Sequence, residues 1–125
     1  MSDASIQTGA TWPWPQSLDA LLAAPDHHTL LFENDAVRVI HTCIASGDAT
    51  PVHTHCWPCV LLIQSWSDCV RRDASGKILF DSRQHPAAPQ LNVPTWQAAL
   101  APHSLQNVGT GDIDTIQVEI KLHGS

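Results

Sequence analysis

Positive charge is scarce in this chain. Lys and Arg together number six against twelve Asp and Glu, a formal charge of -6 with histidine neutral, and Arg71-Arg72 is the single basic doublet. A nucleic-acid binder gathers phosphates on a basic stripe or face, so no nucleic-acid partner is expected. Long apolar runs are missing as well. Val60 to Ile63 ends at Gln64, far short of the roughly 20 residues that cross a bilayer as a helix, and no membrane partner is expected either. The first 25 residues hold no basic start followed by a continuous apolar segment. No secretory signal is therefore read, and the cytoplasm, with the four cysteines reduced, is the expected compartment. Internal repeats, heptads and phosphate-cradling glycine loops are absent too.

What remains fits one domain, since 125 residues supply a single apolar core with little room for a second. Residues 1–28 read as an arm and a short helix, and residues 29–125 as one β domain. In the arm, Trp12-Pro13-Trp14-Pro15 cannot sit in a helix interior, because both prolines lack amide donors. Its tryptophans are expected to cover core or a neighbouring subunit. Ser17 is placed to cap a helix through Leu18, Leu21 and Leu22 that Pro25 stops. From Thr29 onward the composition turns to short β-favouring runs: Thr29 to Glu33, Ala36 to Ile44, Val60 to Ile63, Cys69 to Arg72, Lys77 to Phe80, Thr95 to Leu100 and Ile113 to Leu122. Asn34-Asp35, Ser46-Gly47-Asp48, Asp73 to Gly76 and Gly109 to Asp112 supply turns. About eight short strands without crossover helices favour an all-β closed architecture. In the last run the apolar set Ile116, Val118 and Ile120 is expected to close one wall. The proline-bearing stretch Asp81 to Pro94 is placed as a loop near a pocket mouth.

Eight histidines are present, and their spacing is the main chemical signal. Alternate residues of a strand share a face, so His53-Thr54-His55 aims two imidazoles at one point. His103 is the chosen third ligand, because three neutral nitrogens leave open positions on a divalent metal for substrate, water or oxygen. An exposed alternating pair is the bland reading of the same residues. His27, His28, His41, His85 and His123 share no spacing with the pair and are given ordinary surface or hydrogen-bonded roles.

Two spacings carry a resemblance to the cupin superfamily. Gly47 stands five residues before His53-Thr54-His55, as in the first cupin motif, and His103 stands three residues before Asn107, as in the second. The resemblance covers roughly Leu31 to Lys121. It implies an all-β cupin-like jelly roll or small β-barrel with a divalent metal held by His53, His55 and His103. The usual glutamate ligand is missing, with Cys59 or Val60 in its place. Ala98 and Leu100 displace the usual proline and glycine before the third histidine. A three-histidine set resembles the centre of certain cupin dioxygenases, including thiol and β-diketone dioxygenases. Fe(II) is therefore favoured, with Zn, Mn or Ni as other candidates.

The expected activity is a metal-dependent oxidoreductase, a dioxygenase acting on a small organic substrate. A non-catalytic binding module and a Zn or Mn hydrolase, isomerase or lyase are the alternatives, because fold does not decide reaction. Trp57, Cys59, Gln64 and Trp96 are the candidate pocket residues, with Trp66 as a further lining aromatic. Cys56-Trp57-Pro58-Cys59 has redox spacing but precedes a strand rather than a helix, which favours a structural pair over a catalytic dithiol. Arg38, Arg71, Arg72 and Arg83 are either holders of a substrate carboxylate or solvated strand positions. Exposed strand surfaces or the tryptophan arm make a homodimer the expected assembly.

Overall fold

In the computed structural model, which describes residues 12–85 and 87–121, the β-favouring runs form nine strands: β1 (His28–Glu33), β2 (Val37–Ile44), β3 (His53–His55), β4 (Cys59–Ser65), β5 (Cys69–Asp73), β6 (Ile78–Asp81), β7 (Thr95–Gln97), β8 (Leu100–Asn107) and β9 (Ile113–Ile120). They pair antiparallel into a five-stranded sheet, β1-β2-β9-β4-β7, and a four-stranded sheet, β3-β8-β5-β6. The turns follow their chemistry. Asn34 Oδ1 accepts from the amides of Ala36 and Val37, and Asp73 Oδ1 accepts from Ser75 and Lys77 while Gly76 takes φ 92°, a value that glycine adopts without strain.

The structure redraws three expected elements. The run Thr95 to Leu100 divides into β7 and the start of β8, and β8 continues through Pro102 to Asn107. Pro102 is accommodated because it lies where the pairing slips between His53↔His103 and His55↔Leu100, and a bulge does not require its missing donor. The short helix α1 covers only Ala20–Ala23. Asp19 rather than Ser17 caps it, its carboxylate accepting from Leu21 N at 3.1 Å. The inner face of β9 is Ile113, Thr115, Gln117 and Glu119, not the apolar set Ile116, Val118 and Ile120. Pairing of Gln117 with Ile40, Thr115 with Thr42 and Ile113 with Ile44 aligns these residues with the buried Arg38, Ile40, Thr42 and Ile44 of β2.

Ile44, Cys69 and Ile113 form the apolar core cluster, with Trp66, Phe80 and Leu105 packed against it. Each such isoleucine contributes on the order of 1.5–3 kcal/mol by leaving water. Asn107 is fully buried and satisfied at every polar position. Its amide donates to Ile44 O and Gly111 O, and its Oδ1 accepts from Ser67 Oγ and Gly109 N. It therefore ties the β8–β9 turn to the end of β2. On the outer face of the larger sheet, Phe32, Val39, Val118, Val60 and Trp96 fall in one cross-strand row. Trp12 and Trp14 of the arm pack edge to face at 4.8 Å, and no described helix is long and apolar enough to cross a membrane.

Candidate metal centre

β3 and β8 bring His53 directly opposite His103, with ring centroids 4.4 Å apart. His55, two residues along β3, lies 5.0 Å from His53 and 5.8 Å from His103. The two-residue spacing thus delivers both imidazoles to one interior, and β8 adds the third. A fourth comes from β1: the His28 ring is 4.7 Å from His53 and 5.4 Å from His55. One ligand atom each of His28, His53 and His55 lies within 4.8 Å of the others, a compact group that holds His28 rather than the expected His103, which packs beside His53. His28, given an ordinary role from its spacing, is a member of the cluster. It opens β1 opposite the inward Thr42, a partnership that only the folded register reveals.

Each ring has one nitrogen held by an oxygen. His28 Nδ1 donates to Ala24 O at 3.0 Å, His53 Nδ1 to Pro51 O at 2.8 Å, and His103 Nδ1 to Ala101 O at 2.7 Å. His55 Nδ1 donates to Glu119 Oε2 at 3.0 Å. An acceptor at Nδ1 places the proton there and leaves Nε2 with its lone pair, the arrangement that metal-binding histidines use. All four rings are buried. Burial pushes His28 and His53 down to about 3 and His103 down to about 4, so these imidazoles are neutral at physiological pH. The donor set therefore suits a divalent transition metal.

The carboxylate absent from the ligands is present one hydrogen bond further out. Fully buried Glu119 accepts from His55 through Oε2 and from Arg38 Nε through Oε1 at 2.6 Å. Gln117 Nε2 also donates to Glu119 Oε2, at 3.0 Å. Arg38 then donates to both carboxylate oxygens of Asp19, at 3.0 and 2.8 Å. Burial opposes the Arg38 charge, but its hydrogen bonds to Asp19 and Glu119 outweigh that and hold its pKa above the ordinary value. The chain His55–Glu119–Arg38–Asp19 carries two negative charges and one positive, a net negative charge beside the histidines.

The cluster opens into a cavity of about 590 Å³. Its walls are mostly apolar, from Ile44, Leu61, Ile63, Trp66, Phe80 and Leu105, and Ala87 to Pro89 of the proline-bearing loop lie at its edge. Trp66 was among the expected lining aromatics. The four main pocket candidates are elsewhere. Strand alternation sends Trp96 outward beside Val60, where it is 62% exposed, and Gln64 is exposed. Trp57 lies against Arg38 and Lys121, with centroid distances of 5.1 and 5.6 Å. Cys59 points inward but opposite Glu119, on the side of the sheet that the charged chain fills. Burial raises the Cys56 and Cys59 thiols to about 11 and about 12, so neither is a ready nucleophile at neutral pH.

Comparison with solved structures identifies the architecture. A cupin domain from Bordetella pertussis Tohama I superposes with a TM-score of 0.60 at 17% identity, covering 76% of this chain and 92% of that one. The chain has the cupin fold. An RmlC-like cupin with a double-stranded β-helix fold from Methanocaldococcus jannaschii gives a TM-score of 0.53 at 12% identity, covering 74% and 77% of the respective chains. No family model and no curated protein matches the sequence. Within this fold the histidine cluster sits inside the jelly roll, where the two sheets face one another.

Proposed function

We propose that this cupin is a metal-dependent oxidoreductase, a dioxygenase acting on a small organic substrate in the cytoplasm. The observation that carries the reading is the convergence of buried imidazoles, with no carboxylate among them, at one side of a largely apolar cavity. His53, His55 and His103 hold the metal, and His28 adds a fourth nitrogen. Bound Fe(II) supplies the one-electron chemistry that joins dioxygen to a closed-shell substrate. The chain supplies the rest. Ala24, Pro51 and Ala101 carbonyls fix three rings, Glu119 fixes His55 and offsets positive charge, and Leu61, Ile63, Leu105 and Ile113 exclude water. No side chain is required as a nucleophile.

The test is oxygen uptake by Fe(II)-loaded protein with panels of thiols, β-diketones and phenols, beside metal analysis of protein purified without chelator. Uptake that requires Fe(II) and substrate, and that disappears in His53→Ala and His28→Ala, is the expected result. Ligand binding without product would make the protein a binding module. Turnover without oxygen uptake in the Zn or Mn form would make it a hydrolase, isomerase or lyase.

We further infer that the homodimer forms through the outer row of Phe32, Val39, Val118, Val60 and Trp96, because a contiguous apolar row ending in two exposed rings suits a self-complementary contact. Sedimentation should give twice the chain mass for the wild type and the chain mass for Trp96→Glu. A monomeric wild type overturns this assignment.

A further inference from the structure

Among the described residues, one cation that lines the cavity has no counter-ion. Arg71 lines it from β5, directly opposite Leu105 of β8, while Asp73 of the same strand stands opposite His103. Arg71 is thus the diagonal neighbour of His103 on the inner face, a separation of roughly 7–8 Å between backbone positions. Among the described residues no side-chain acceptor hydrogen-bonds or ion-pairs with Arg71, whereas each other arginine has one. Arg38 has Glu119 and Asp19, Arg72 has the Gln106 side-chain oxygen at 2.8 Å, and Arg83 has Asp81. Asp68 is the lone carboxylate along the cavity wall, and it accepts from Ser82 Oγ at 2.8 Å. Asp73 is turned to the hairpin, accepting from Ser75 and Lys77.

A guanidinium taken partly out of water with no anion to pair with is costly to keep. Burial lowers the Arg71 pKa, and no carboxylate is among the groups that oppose this. A bound anion removes that cost, and the planar fork of arginine matches a carboxylate through two parallel hydrogen bonds. The surrounding walls of Ile63, Trp66, Phe80 and Leu105 suit an apolar body.

We propose that Arg71 anchors the carboxylate of a small, mostly apolar organic acid in the cavity, next to the histidine cluster, so that the substrate of this site is a monocarboxylic acid. This rests on reading the cavity as the substrate site. It also gives the cavity two ends of different chemistry: an anion clamp on β5 and a nitrogen donor set on β1, β3 and β8. A ligand held at the first has its other end directed along the wall toward the second.

The test compares acid and amide probes, hexanoate against hexanamide and phenylacetate against phenylacetamide, by calorimetry at millimolar concentrations, on protein as purified and after chelation. Chelation removes a direct contact between probe and metal. The acids should bind roughly tenfold or more tightly than the amides in both preparations. Arg71→Met should abolish that preference without changing metal content, and Arg71→Lys should retain part of it. Equal binding of acid and amide, binding of neither, or a preference that survives Arg71→Met overturns the proposal. The comparison within wild-type protein needs no variant to fold. An acid preference in a protein that takes up no metal leaves the anchor standing and removes the metal reading. Metal uptake without an acid preference does the reverse.

Discussion

Two arginines on the inner faces of the barrel show how differently the same side chain can be used. Arg38, on β2, lies between Glu119 and Asp19 with every charge answered and hydrogen-bonded. Arg71, on β5, faces open cavity with none. The first belongs to a polar network that the fold itself completes. The second faces the cavity, where the proposed carboxylate would complete it. A satisfied buried charge reads as architecture, and an unsatisfied one beside a donor cluster reads as recognition.

The largest effect that tests this contrast is Arg38→Met. Removing the guanidinium leaves buried Glu119 and half-buried Asp19 without their partner, and a loss of about 3–5 kcal/mol in denaturant unfolding is expected. A loss below ~1 kcal/mol would show that the network is dispensable to the fold. Glu119→Gln comes next. It keeps the shape but removes the charge behind His55, so metal affinity should fall about 10–100-fold, read by competition with a chromophoric chelator. Unchanged affinity would separate the charged chain from the metal site. Arg71→Met should have the smallest effect on stability, within about 1 kcal/mol of wild type or above it, because no partner is orphaned when it goes. A loss comparable with that of Arg38→Met would place Arg71 in the architecture and erase the distinction.

Thiol labelling sharpens the same boundary. Cys43 is exposed, whereas Cys59 is buried against Glu119 with its pKa raised to about 12. Labelling near pH 8 should modify Cys43 first and Cys59 only on unfolding. Rapid modification of Cys59 in native protein would show that the region around Glu119 opens in solution.

Much of this organisation was legible in the sequence, and the rest depends on partners far apart in the chain. The strand runs, their turns and the pair His53 and His55 follow from local periodicity, because alternation acts over two residues. His103 and Asn107 were legible through motif spacing, although the hydrogen bonds of Asn107 show that it holds a turn rather than a ligand. His28 was not legible, since its role depends on β1 meeting β2 in one register. Nor was the Arg38–Glu119 pair, which joins residues 81 positions apart. Trp57 and Trp96 were chosen for closeness in sequence to the ligands, but Trp57 lies in the connection between β3 and β4, and along β7 one position reverses the face, so that Gln97 rather than Trp96 lines the cavity. The polar inner side of β9 was hidden for a related reason. Its Gln117 and Glu119 are buried within one hydrogen-bonded network, and hydropathy gives no sign of bonding.

The carbonyls that orient His53 and His103 come from Pro51 and Ala101, each two residues upstream of the ring that it holds. Ring direction at these two positions is therefore a property of short stretches of chain, established as soon as β3 and β8 form. A cation entering such a site finds its nitrogens already aligned and spends little free energy on rearranging them. If the site holds a metal, nitrogen affinity and supply would together set which ion it is, and protein produced in media of different metal content should carry different metals on an unchanged scaffold.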